Sequence, residues 1–219
     1  MPTLDTLLVF VGPALLLAVL PGPGLLYVVG RTLAEGQRAG LASSLGAGIG
    51  GLVHVAAGAV GVSAVIVASA TAFMVLKAAG GLYLLWLAWT TWRSAGSAAL
   101  ADQSAAGANL QGGTSRGAVR ALRQGIVVEA TNPKTAAFFL ALIPQFVEPA
   151  QGSVPLQFAV LGLVSVIINT ANASLVVMMA GALRSQVVAR PSLLRRLQQG
   201  SAAILASLGL WLLMSRRSV

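Results

Sequence analysis

The sequence predicts an all-α integral membrane protein of six transmembrane helices, built as two inverted three-helix repeats with broken first and fourth helices. Three observations lead there. Of 219 residues, 57% are hydrophobic and only 9% are charged, against about 25% charged in an ordinary soluble domain. The apolar residues fall into runs close to or above the roughly 20 needed to cross a 30 Å hydrocarbon core. Proline interrupts the first and fourth runs at matching depth. So few charges cannot cover a water-soluble globule, and soluble-enzyme folds are excluded. The net charge of +9 does not indicate nucleic acid, because the basic residues lie in short segments between apolar runs rather than on one face. With no cysteine in the chain, thiol redox chemistry, thiolate metal sites and disulfides are excluded.

The first run, 4–29, opens in MPTLDTLLVF, which has an acid and no basic residue and reads as the start of a span rather than a cleaved signal peptide. It contains Pro21-Gly22-Pro23-Gly24. The second, 40–68, is rich in glycine, with Gly46-x-x-x-Gly50 as a small-residue packing motif, and holds His54, the single histidine. The third, 71–92, carries Lys77, Trp86, Trp89 and Trp92, which with Trp211 read as snorkelling or interfacial anchors. The fourth, 119–146, holds Glu129 and Asn132-Pro133-Lys134. The fifth, 154–181, places Asn169 and Asn172 at i and i+3 on one face, and the sixth is 197–215. All must be helices, since an open sheet edge in lipid leaves backbone groups unpaired. A β-barrel would need shorter segments of alternating polarity.

Between the third and fourth runs lies SAGSAALADQSAAGANLQGGTS, 94–115, whose Gly, Ser and Gln content reads as a flexible cytoplasmic linker. It divides the chain into a first three-helix repeat, 1–93, and a second, 116–219. Three is an odd number, so related halves must insert with opposite orientation, as in many secondary transporters. The first connection (Arg31, Glu35, Arg38), the third (Arg93, Asp102, Arg116, Arg120, Arg123) and the fifth (Arg184, Arg190, Arg195, Arg196) hold ten of the 14 basic residues. These three share a side, so the positive-inside rule makes them cytoplasmic and places both termini outside. Arg216 and Arg217 dissent, and are outnumbered.

Proline removes a backbone donor and clashes with the turn before it. Pro21 thereby frees the carbonyl of Leu17, Pro23 that of Val19, and Pro133 that of Glu129. Counting back from Arg31 and forward from Arg123, both breaks lie roughly 14 Å from the cytoplasmic charges at 1.5 Å per residue, near the midplane. One such proline is a harmless kink. A matched pair in corresponding helices of opposed halves points to a substrate site, formed by Pro21, Gly22, Pro23, Gly24, Asn132, Pro133 and Lys134.

Glu129 and Lys134 are the deeply placed ionisable residues, and charge in mid-membrane normally faces a cavity. The pair matches a zwitterionic amino acid, with Glu129 holding an ammonium and Lys134 a carboxylate; the alternative is that the two merely neutralise each other. Glu129 is also the candidate proton-coupling carboxylate. His54 is a candidate proton relay, because imidazole titrates near neutral pH, or else a hydrogen-bonded packing residue. Asn169 and Asn172 either line the pathway or bond between helices.

These residues resemble the LysE/RhtB family of amino-acid exporters over nearly the whole chain. The resemblance rests on Pro21-Gly22-Pro23, the Gly36/Gly40 turn, the glycine-rich second run, LKAAGGLYLLWLAWTTWRS at 76–94, Asn132-Pro133-Lys134, and Pro144-Gln145-Phe146, in order and spacing. It implies six helices in two repeats and proton-driven export of amino acids or their relatives. One departure stands out. Members commonly carry Asp or Asn directly after the first motif, where this chain has Gly24, which shifts weight onto Glu129 or toward a different substrate.

The reading is therefore a proton-antiporting amino-acid exporter of the inner membrane, working by alternating access, and not an enzyme. It calls for an amino acid and membrane lipid as partners, a homodimer as an open assembly, and no cofactor, metal or nucleic acid. The alternatives are an exporter of a metal ion or another small solute, and a non-transporting scaffold. A scaffold gives no reason for broken helices with midplane charge.

Overall fold

A computed structural model describes residues 1–95, 115–188 and 191–215. Most of the 94–115 linker, Asp102 within it, Arg190 and the Arg216–Arg217 pair lie outside the described residues, as do the side chains of Arg116 and Arg184. The described elements are helical throughout.

Span one is a bent pair. Helix α1 (Leu4–Val19) starts under Thr3, whose hydroxyl accepts from Thr6 N at 3.2 Å, and stops where Pro21 cannot continue it. Helix α2 (Pro23–Glu35) restarts with Pro23 at its first position, where the missing donor costs nothing. The two axes differ by 50°. Span two is α3 (Gln37–Ala57), a π-helical turn (Gly58–Val62) and α4 (Ser63–Ala68), continuous over Gln37–Ala68. Span three is α5 (Ala70–Arg93), capped by Ser69 accepting from Ala72 N at 3.1 Å. Span four is the second bent pair. Helix α6 (Ser115–Ala130) is followed by α7 (Pro133–Ala137), which runs through a π turn (Phe138–Leu142) and a 3₁₀ turn (Ile143–Phe146), with 43° between the halves.

Helix α8 (Val154–Val188) supplies span five, apolar over Val154–Met179. Helix α9 (Pro191–Met214) corresponds to the sixth predicted span and is apolar over Gln198–Met214. Three single helices and two bent pairs thus have the length and apolarity to cross a bilayer, with α9 slightly shorter. Leu8, Val60, Val67, Ile167 and Met178 are all exposed on the outside. A surface this apolar belongs in lipid.

The helices pair across the two halves of the chain: α3 with α6, α1 and α2 with α8, and α5 with α9. The closest pair is α3–α6. A Cβ at Gly46 would collide with the carbonyl of Leu122, and one at Gly50 with that of Ile126, so the small residues let two backbones touch. At one end of the bundle an aromatic core gathers Phe10, Phe138, Phe139 and Phe158. There Phe10 meets Phe138 at 6.0 Å and Phe146 at 5.2 Å between ring centres.

Two sequence-level placements need correction. Arg31 is not a connection residue: α2 runs on to Glu35, and Arg31 is fully buried, 2.5 Å from Glu35 and 5.9 Å from the centre of the Tyr27 ring. Lys77 does not snorkel to a surface. It is buried and donates to the carbonyl of Ser215 at the end of α9, where a cation offsets the partial negative charge of the helix terminus. Trp86, Trp89, Trp92 and Trp211 are about half exposed, the three of α5 (with Arg93 stacked 4.8 Å from the Trp89 ring centre) toward the carboxy-terminal end of that helix.

Candidate functional site

The two proline breaks meet inside the bundle. At the first, Leu20 and Gly22 are extended (ψ 118° and 179°), so α1 ends in open carbonyls and α2 begins in open amides. Lys134, from the second break, donates from Nζ to the carbonyls of Leu17 at 2.9 Å and Leu20 at 2.7 Å. Asn172 Nδ2 of α8 donates to the neighbouring carbonyl of Ala18 at 2.7 Å. The end of α1 is thus held by one ammonium and one amide, both from the second half of the chain.

At the second break Asn132 caps α7, its Oδ1 accepting from Lys134 N at 3.0 Å. The carbonyl of Glu129, which Pro133 cannot reach, accepts from Asn132 N at 3.0 Å and lies 2.9 Å from His54 Nε2. The Glu129 carboxylate is 2.9 Å from Asn132 Nδ2 and 2.5 Å from Thr135 Oγ1, both donating. Glu129 is 2% exposed and Lys134 6%. The two charges do not neutralise each other directly: the carboxylate is satisfied by Asn132 and Thr135, the ammonium by main-chain carbonyls.

Glycine makes this docking geometry. A Cβ on Gly24, in the first turn of α2, would overlap Glu129 Oε2 and lie 3.1 Å from Asn132 Nδ2. One on Gly22 would lie 2.9 to 3.2 Å from the Cδ, Cε and Nζ of Lys134. The carboxylate therefore rests against the amide-rich start of α2, and the ammonium against the carbonyl-rich end of α1. Each helix end faces the charge its dipole favours.

A small cavity adjoins the carboxylate, with about 10 Å³ of water-accessible space, enough for about one water. Leu17, Glu129, Thr135, Phe139, Ser165 and Asn169 contribute to its wall. A larger, mostly apolar cavity of about 310 Å³ lies on the other side of Phe139, between the two π turns, with His54 in its wall. Phe139 lines both, and its ring centre is 5.7 Å from that of His54.

The structure thus brings Pro21, Gly22, Pro23, Gly24, Glu129, Asn132, Pro133 and Lys134 together, with His54 on the Glu129 main chain. It separates the two asparagines of α8: Asn169 faces the small cavity, while Asn172 bonds the end of α1. Thr135 and Ser165 were not singled out from sequence. Thr135 carried a usable signal, standing two residues beyond Pro133 within one turn of the break; Ser165 carried none.

The sequence model of the family described as LysE type translocator matches residues 15–216. Among curated proteins, the homoserine/homoserine lactone efflux protein of Salmonella typhimurium is 34% identical over 154 residues, 70% of each chain. A membrane protein of Vibrio cholerae is 32% identical over 156 residues, 71% of each chain. The leucine efflux protein of Enterobacter sp. is 26% identical over 152 residues, 69% of this chain and 68% of its own. No solved structure matches.

Proposed function

Because the chain belongs to the LysE type translocator family, and is therefore a membrane transporter rather than an enzyme, we propose that it exports amino acids or close derivatives across the cytoplasmic membrane by proton antiport. The observation that carries this reading is the pairing of opposite helix ends with opposite charges. The end of α1 faces the ammonium of Lys134, and the start of α2 faces the carboxylate of Glu129. A zwitterion carries the same two charges, so the breaks and the pair together suit its ammonium and its carboxylate. Relatives named for efflux of homoserine and leucine support an amino acid as cargo.

Antiport follows if Glu129 serves proton and substrate in turn. From the cytoplasm, the substrate ammonium binds beside the ionised carboxylate. Outside, a proton neutralises Glu129, the ammonium leaves, and the protonated carrier returns to release its proton inward. Asn132 and Thr135 hold the carboxylate in place, and His54 braces the Glu129 main chain. The halves 1–93 and 116–219 would rock as inverted repeats about the breaks, with both termini outside. The reciprocal pairing of α3 with α6, α1 and α2 with α8, and α5 with α9 suits a two-fold relation between them.

The test is uptake into inside-out vesicles bearing the protein, with labelled L-leucine, L-homoserine, L-alanine and L-lysine, with and without a protonophore. Accumulation of at least one amino acid that collapses with the protonophore is expected. Accumulation of none, or accumulation indifferent to the protonophore, refutes the reading.

A further inference from the structure

We propose that the carbonyls of Leu17 and Leu20 form a seat for the substrate's primary ammonium, and that Lys134 is the tethered occupant of that seat in the empty carrier. The inference rests on the reading above, and deepens it by assigning the cation site and a specificity role to Lys134. Two carbonyls at 2.9 and 2.7 Å from one buried ammonium make a cation site out of main chain alone. The adjacent carbonyl of Ala18 is taken by Asn172, so Leu17 and Leu20 are the two acceptors of the seat. The close fit of Gly22 against the outer methylenes and Nζ of Lys134 holds that side chain in it. Leu17 and Glu129 border the same small cavity, so one residue of the seat lies beside the carboxylate.

Occupancy by Lys134 implies an exchange. An amino acid that places its ammonium on Leu17 and Leu20 expels Lys134, and its own carboxylate then receives the expelled ammonium. A primary amine without a carboxylate expels Lys134 equally but leaves that charge buried without a partner, which is costly. Lys134 thereby selects zwitterions over plain amines. It also keeps the seat filled while the substrate-free, protonated carrier returns.

The experiment compares binding of amino acids with binding of their decarboxylated counterparts. L-leucine is set against isopentylammonium, and L-homoserine against 3-aminopropan-1-ol. Each is titrated into purified wild type, Lys134→Met and Lys134→Arg in lipid nanodiscs, with tetramethylammonium as a control unable to donate to carbonyls. If the seat is vacant for a tenth of the time or less in the wild type, Lys134→Met raises affinity for the two primary amines by about tenfold or more. Lys134→Arg leaves the amines excluded. Lys134→Ala, which removes both the donor and the charge from the seat, reads the same gain if the methionine variant does not fold.

Amine affinity that does not rise in the neutral variants overturns the proposal, as does an equal gain for tetramethylammonium. The two readings fail separately. Wild-type amino-acid export with no amine gain removes the tethered-occupant role alone. Amine gain in a protein that exports no amino acid in vesicles removes the transport reading and keeps the seat.

Discussion

Gly24→Ala adds a single methyl group where Glu129 Oε2 now lies. In a helix with free space around it, replacing glycine by alanine stabilises by up to roughly 1 kcal/mol. Here the sign reverses, because the carboxylate must withdraw from a Cβ also 3.1 Å from Asn132 Nδ2. The bond at risk is the 2.9 Å one from Asn132 to Glu129, a hydrogen bond to a charged group. Such bonds contribute about 1.5–3 kcal/mol, so substrate affinity should fall roughly 10- to 150-fold. Glu129→Asp retracts the carboxylate by one methylene and should impair transport in the wild type. In the Gly24→Ala background it relieves the overlap, so the two losses should sum to more than the double variant shows. The assay is counterflow in proteoliposomes for the four combinations, with detergent melting temperatures as a folding control. Wild-type affinity in Gly24→Ala, or strictly additive losses in the double variant, refutes the assigned contact between α2 and the carboxylate.

Glu129→Gln should retain some substrate counterflow and lose the response to a pH gradient; full gradient-driven export by this variant in proteoliposomes removes Glu129 from proton coupling. Asn172→Ala leaves the carbonyl of Ala18 without its 2.7 Å donor and should cost about 1–3 kcal/mol of stability, read as a lower melting temperature, while Asn172→Gln should recover part of it. A reporter fused after Val219 should be active only in its periplasmic form if both termini are outside, and cytoplasmic activity reverses the orientation. Gly50→Leu should block the α3–α6 approach, since its Cβ meets the carbonyl of Ile126; a cost of about 1–3 kcal/mol or more for overpacking should appear as reduced yield of folded protein, and undiminished yield contradicts the close crossing.

The spans and the two bends were legible because lipid leaves helices as the backbone solution and proline cannot sit silently inside one. The partners of the freed carbonyls were not. Pro21 says that Leu17 loses a donor, but which side chain takes its place depends on which helices face each other, and Lys134 lies 117 residues away. The sequence marks the glycines of the first motif only as site residues, and their absent side chains are the space that Glu129 and Lys134 fill. Arg31 and Lys77 misled for a shared reason. Positive charge marks water only when no protein partner is at hand, and Glu35 with the Tyr27 ring serves the first, the Ser215 carbonyl the second.

The stitching of the first break by the second half has a consequence for synthesis. The first three spans leave the ribosome before Lys134 and Asn172 exist, and the carbonyls of Leu17, Ala18 and Leu20 wait for residues 114 to 154 positions downstream. Until then the nascent amino-terminal half carries carbonyl oxygens without these donors. The first break therefore acquires its native partners only after the late-arriving lysine and asparagine have been made.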